Sequence, residues 1–169
     1  MSVGKLLRVS AAGPAGRTIA EVIFFLRHGV AERGGVDDAA RRLTAEGERQ
    51  AEAAGQALVA LGEEVESCLT SPKVRAADTA RLACEILGIE PETAAKLCGP
   101  FDSLELTAGR GNVLLVGHEP YLSEEIGRLT GADAKLRKGG LAIVDGSTLI
   151  ALLRPDDLAS IAAASMASS

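Results

Sequence analysis

Short apolar runs of strand length alternate along this chain with longer amphipathic segments, and that alternation narrows the available folds more than any other feature. A run that is apolar at nearly every position suits a strand buried on both faces, which is the situation of a parallel sheet covered by helices. Residues 21–26 (EVIFFL) and 112–116 (NVLLV) are runs of this kind, and 65–70 is a further strand candidate. Over residues 44–61, Ala51, Ala54, Leu58 and Leu61 recur at three- and four-residue spacing while Glu46, Glu48, Arg49 and Glu52 occupy other positions. This spacing predicts a surface-packed helix with Thr44 as its N-cap. Ser71 and Pro72 read as the N-cap and first helical residue of a second helix, which runs to Leu87 and closes on Gly88. Pro120 opens another, ending near 129–131. Runs at 141–144 and 148–153 flank Asp145, Gly146 and Ser147, a turn-rich break that favours an antiparallel hairpin. Segment 89–111 is poorly periodic, with room for one edge strand and a short helix. The expected fold is α/β: a three-layer sandwich with a mostly parallel central sheet, an antiparallel C-terminal edge hairpin and helices on both faces.

A chain of 169 residues supports one ordinary domain, here expected over 20–155. Residues 1–19 read as a flexible tail: Lys5, Arg8 and Arg17 give a faintly transit-like charge, but Gly13, Pro14 and Gly16 interrupt any apolar signal core. Residues 156–169, mostly Ala and Ser with little to bury, read as a frayed helix or tail. The formal charge is −5 and aromatic residues are only 2% of the chain. That field repels nucleic acid and anionic membrane, and the chain lacks the rings for base stacking, so neither is an expected partner. No run reaches the length of a membrane helix. Cys68, Cys84 and Cys98 form no CxxC pair and have no His at metal-ligand spacing; they read as free thiols of a reducing, cytoplasmic setting.

There are two histidines, His28 and His118, and each directly follows a strand expected in the middle of the sheet. Open α/β sheets bind ligands at such strand ends. Two imidazoles directed to one edge beside Arg27 and the helix-start Arg75 make a cationic pocket suited to phosphate, because a guanidinium fork matches phosphate oxygens and stays charged. Gly29 is expected to let a phosphoryl group approach the backbone. Glu119 beside His118 invites a metal reading, but no further ligands are evident, so neither a metal nor a cofactor is expected. Asp38 and Glu32 are left without a role. Gly34-Gly35, Gly109 to Gly111 and Gly139-Gly140 lack the spacing of nucleotide-binding loops and read as turns.

The ordered motifs resemble the histidine phosphatase superfamily, whose signature Arg-His-Gly stands here as Arg27-His28-Gly29. Within it the chain is more similar to the short SixA-like phosphohistidine phosphatases: RHGVA at 27–31 and DAARRLTAEG at 38–47 match that group's first two blocks, with Arg42 where proline is usual. The blocks at 71–80 (SPKVRAADTA) and 116–120 (VGHEP), and the late Lys138-Gly139, follow in order, so the likeness spans about 21–154. The resemblance implies His28 as nucleophile, with Arg27, Arg75 and His118 gripping the phosphoryl oxygens and Arg41 close to the same pocket, and it implies no metal.

A neutral imidazole is a competent nucleophile, and the phosphoramidate it forms can be cleaved by water, so one hard displacement becomes two. The superfamily's mutases and many of its esterases carry an inserted glutamate that protonates a departing alkoxide. Glu90, Glu92 and Glu105 lie in the corresponding region without resembling that insert. A departing imidazole needs less help. The expected activity is therefore hydrolysis of phosphohistidine displayed on a protein. Hydrolysis of small sugar or nucleotide phosphates, and phosphate recognition without turnover, are the alternatives.

Overall fold

The structure, a computed structural model, describes residues 22–168; the expected tail at 1–19 lies outside them. Six strands form one sheet in the order β3-β2-β4-β1-β5-β6. These are β1 (Ile23–Arg27), β2 (Ser67–Thr70), β3 (Pro91–Thr93), β4 (Val113–Gly117), β5 (Leu141–Asp145) and β6 (Thr148–Leu153). Strands β3, β2, β4 and β1 run parallel, while β5 pairs antiparallel with β1 and β6 antiparallel with β5. The fold is thus the expected α/β sandwich with a mostly parallel sheet and an antiparallel edge hairpin. The hairpin turns at Gly146, whose φ of 58° is a conformation glycine adopts without steric cost.

Alternation along β1 sends Phe24 and Leu26 to one face and Ile23 and Phe25 to the other, and all four are buried. The first pair joins a core with α1 (Ala45–Ala60), α2 (Val74–Leu87) and α5 (Pro155–Ala167). The second pair joins a core with Leu97 and with Leu122 and Ile126 of α4 (Tyr121–Thr130). Thr44 caps α1 as expected, its side chain accepting from the Gly47 N–H. Segment 89–111 holds β3, a 3-10 turn at Ala95–Cys98 and the short α3 (Ser103–Thr107).

Two expectations are corrected. The second helix starts at Val74 with Lys73 as its cap, not at Pro72 behind Ser71. Ser71 instead continues the strand: its N–H bonds the Val116 carbonyl, and its hydroxyl accepts the Lys73 N–H at 3.3 Å and lies 2.8 Å from His118 Nε2. Within the expected tail at 156–169, the residues to 167 instead belong to a helix, α5, with Leu158 and Ala162 buried and Ile161 packed on the same core. Alanine is the best helix former, and Leu158, Ile161 and Ala162 make one stripe at helical spacing. That stripe is narrow enough to pass for no pattern when the sequence is read alone.

Candidate active site

Strands β1 and β4 are parallel neighbours with Arg27 opposite Gly117, so the two histidines that follow them leave the sheet side by side. The His28 N–H bonds the Gly117 carbonyl at 3.2 Å, and the ring centroids stand 5.2 Å apart. A pocket of about 300 Å³ opens there, lined by Arg27, His28, Ala31, Arg41, Arg75, His118, Glu119 and Lys138. Four of those side chains are Arg or Lys against a single carboxylate, a local excess of positive charge in a chain whose formal charge is −5. Five of the six sequence candidates are therefore brought together.

Gly29 is the exception. It does not line the pocket; its N–H donates to Thr79 Oγ1 at 3.1 Å. A Cβ at this position would stand 2.5 Å from the Gly47 carbonyl oxygen of α1. The glycine is needed because two backbones cross there, not because a phosphoryl group approaches it. Thr79 Oγ1 in turn donates to the Arg75 carbonyl, so the turn after β1 is tied to the helix that carries Arg75.

His28 is 6% exposed, and its Nδ1 lies 2.8 Å from the Gly29 carbonyl oxygen. A carbonyl oxygen only accepts, so Nδ1 carries the proton and Nε2 holds the lone pair. Burial first of all, then the charges of His118, Arg75 and Arg27, depress the pKa of His28 to about 3, against the pull of the Gly29 bond. The ring is neutral at ordinary pH. His118, also 6% exposed, is lowered to about 4 by burial and by Arg75, Lys73 and Arg27, with Asp38 opposing. Its Nε2 lies 2.8 Å from Ser71 Oγ.

The arginines are held from behind. Arg27 Nη1 donates to the Leu136 carbonyl at 3.0 Å. Arg75, 5% exposed, donates to the Asp38 carbonyl at 2.7 Å and to Asp38 Oδ2 at 3.2 Å. Asp38 also pairs with Lys73 at 3.2 Å and with Arg41 at 2.9 Å. Lys73 and Arg75, then Arg41, hold the Asp38 carboxyl far below its usual range. This carboxylate, which the sequence left without a role, gathers three cations, of which Arg41 and Arg75 line the pocket. Lys138 arrives because the Gly139 N–H bonds the His28 carbonyl at 2.9 Å.

Among the described residues, three of the four buried side-chain polar atoms without a partner are Arg27 Nε, Arg75 Nε and His118 Nδ1, all on pocket-lining residues. The fourth is Asn112 Oδ1, away from the pocket, whereas the buried carboxylate of Glu125 is satisfied, accepting from the Ser103 N–H and hydroxyl and from Arg128. A buried donor left unpaired costs roughly 1–3 kcal/mol, and an oxyanion would satisfy several at once. Glu92 and Glu105 sit away from the pocket, paired with Arg110 and Lys96. Glu119 lines it and accepts from the Ser123 hydroxyl at 2.7 Å. Among the described residues no three metal-ligating side chains gather at one point, and no helix is long and apolar enough to cross a membrane.

The family description "Histidine phosphatase superfamily (branch 1)" matches residues 23–99. An uncharacterized protein of Picosynechococcus sp. is 35% identical over 135 residues, covering 70% of this chain and 81% of that protein. Among solved structures, the protein histidine phosphatase SixA complexed with tungstate superposes with a TM-score of 0.72 at 23% identity, over 81% of this chain and 99% of the other. A protein assigned as SixA phosphohistidine phosphatase from Agrobacterium tumefaciens gives 0.71 at 22% identity, over 80% and 98%. One assigned as an α-ribazole-5′-phosphate phosphatase from Escherichia coli gives 0.63 at 19% identity, over 80% and 98%. At these identities the structural likenesses establish the fold.

Proposed function

The chain belongs to the histidine phosphatase superfamily, and from that premise we propose that it hydrolyses phosphohistidine carried on a protein, passing the phosphoryl group through His28. The observation that carries this reading is the His28 tautomer. With Nδ1–H held by Gly29, Nε2 presents its lone pair among Arg27, Arg41, Arg75 and His118. Attack by Nε2 on phosphorus breaks the P–N bond to the substrate imidazole. If that ring is protonated on its other nitrogen, it departs neutral and needs no acid. The same logic returns the enzyme. Phosphoryl-His28 keeps its Nδ1 proton against Gly29, so water displaces a neutral imidazole, and the proton lost by water passes to phosphate or solvent. The guanidinium groups and the second imidazole stabilise charge on the transferring oxygens, which is the main contribution of protein to phosphoryl transfer.

A phosphoramidate whose imidazole departs neutral needs no proton donor, whereas an alkoxide does, and among the described residues the pocket lining holds no acid besides Glu119, whose Oε1 accepts from the Ser123 hydroxyl. That favours phosphohistidine over an ester. Relatives of the same fold named as SixA phosphohistidine phosphatases point the same way, whereas the likeness to an α-ribazole-5′-phosphate phosphatase favours a small phosphate ester as the second reading. The three cysteines are free, two of them buried, in keeping with work in the reducing cytoplasm.

Phosphate release from a phosphohistidine-bearing protein and from a panel of sugar and nucleotide phosphates, measured side by side, separates the readings. The expected result is faster release from phosphohistidine, lost in His28→Ala. Fast turnover of esters alone would establish the second reading, and tight phosphate binding without turnover of either would make the pocket a recognition site only.

A further inference from the structure

Behind His118 a short chain of polar atoms runs away from the pocket. Ser71 Oγ lies 2.8 Å from His118 Nε2 and 3.2 Å from Cys98 Sγ, and it accepts the Lys73 N–H at 3.3 Å. Ser71 is fully buried. We infer that Ser71, backed by Cys98, is a positioning residue that holds His118 by Nε2 in either tautomer, so that an oxyanion in the pocket can select the Nδ1–H form. This rests on the phosphatase reading and adds a residue to it.

Proton counting supplies the argument. A serine hydroxyl donates once and accepts twice, and a neutral imidazole donates once. With the Lys73 N–H occupying one acceptor position, two proton orders remain. In the first, the Cys98 thiol donates to Ser71, Ser71 donates to His118 Nε2, and His118 Nδ1 bears the hydrogen. In the second, His118 Nε2–H donates to Ser71, Ser71 donates to the Cys98 sulfur, and Nδ1 bears a lone pair. Each order contains one good hydrogen bond and one weak bond to sulfur, so the chain alone discriminates little between them.

The pocket decides. Nδ1 belongs to a ring that lines it, is buried and has no protein partner. An oxyanion beside that nitrogen gains a donor in the first order and meets a lone pair in the second. Phosphate therefore selects the first order, and the thiol, able to give or receive, lets the chain switch. Ser71 keeps the ring in place through that change, donating to Nε2 in the first order and accepting from it in the second.

The test is nitrogen NMR of histidine-labelled protein, which reads the tautomer directly, paired with inorganic phosphate binding by calorimetry. In the unchanged protein, phosphate is expected to drive His118 to the Nδ1–H form. Cys98→Ala removes the second order, so this form should be present before phosphate is added, with affinity within about twofold of the original. Ser71→Ala should release the tautomer and weaken phosphate binding roughly tenfold, the worth of an oriented hydrogen bond to a charged group. Thermal melting checks that this variant is folded; should it not fold, the Cys98→Ala spectrum decides alone. An Nε2–H tautomer with phosphate bound, unchanged binding in folded Ser71→Ala, or an unaltered spectrum in Cys98→Ala would each overturn the proposal. Hydrolysis of phosphohistidine by the unchanged protein is assayed separately, so failure of the phosphatase reading shows there and not in the tautomer.

Discussion

The turns that follow β1 and β4 deliver the same residue type to the same pocket by different means. His28 and His118 are equally buried, at 6% exposure, and both are held neutral by that burial. Yet His28 is oriented by the carbonyl of the next residue in the chain, whereas His118 is oriented by a hydroxyl 47 residues away. The glycines beside them differ in the same sense. An added Cβ at Gly29 would meet backbone of α1 at 2.5 Å, but at Gly117 the nearest atom is a flexible Leu122 methyl at 3.4 Å. The first turn is fixed by the path of the backbone, the second by side chains that can be exchanged. A nucleophile that must keep one proton in one place through both halves of a reaction suits the first arrangement. An anion-binding imidazole that must adapt its donor to an occupant suits the second.

Exchanging alanine for each histidine should give the largest contrast. His28→Ala is expected to abolish turnover, on the order of 10⁴-fold or more, because no other group takes the phosphoryl. His118→Ala should cost about 10²- to 10³-fold, the loss of one oxyanion donor, and leave the covalent step in place. Single-turnover phosphate release measures both, and equal losses would erase the distinction between the turns.

Acid should act on the two turns alike. An unfolded histidine takes up its proton near pH 6.5, while the folded ones resist until about 3 for His28 and about 4 for His118. The unfolded state thus binds more protons below 6.5, and stability present at neutral pH is lost as pH falls toward those values. The loss by pH 5 is about 2 kcal/mol for each ring if they act independently. Urea unfolding at pH 7 and pH 5 should show it, and His28→Gln should remove one share. A stability unchanged between these pH values would contradict the burial-driven shifts.

The smallest effect separates the glycines. Gly29→Ala forces two backbones apart and should destabilise by about 1–3 kcal/mol, while Gly117→Ala should cost less than about 1 kcal/mol. Equal urea midpoints for the two variants would show that the first turn has slack the contact distances deny.

What the sequence made legible was local. The apolar runs marked the strands, and residues just beyond two of them marked the pocket, because parallel neighbours bring their C-terminal ends together. Arg75 entered as a helix-start arginine, and Arg41 through the family resemblance. What stayed hidden depends on atoms far apart in the chain. Asp38 is one exposed acid among many until Arg41, Lys73 and Arg75 close around it. Ser71 before a proline looks like a helix cap until β2 carries it one residue further beside His118. Gly29 looked like a phosphate approach because nothing local announces that Gly47 crosses there. The stripe of α5 is legible only against the helix face it covers.

The most direct test of His28 as phosphoryl carrier is a single-turnover reaction with a labelled phosphohistidine peptide, quenched in base to preserve P–N bonds and mapped by mass spectrometry. The expected result is phosphate on His28 that appears before free phosphate and is absent from His28→Ala. Turnover with no label on His28, or label on another residue, would contradict it.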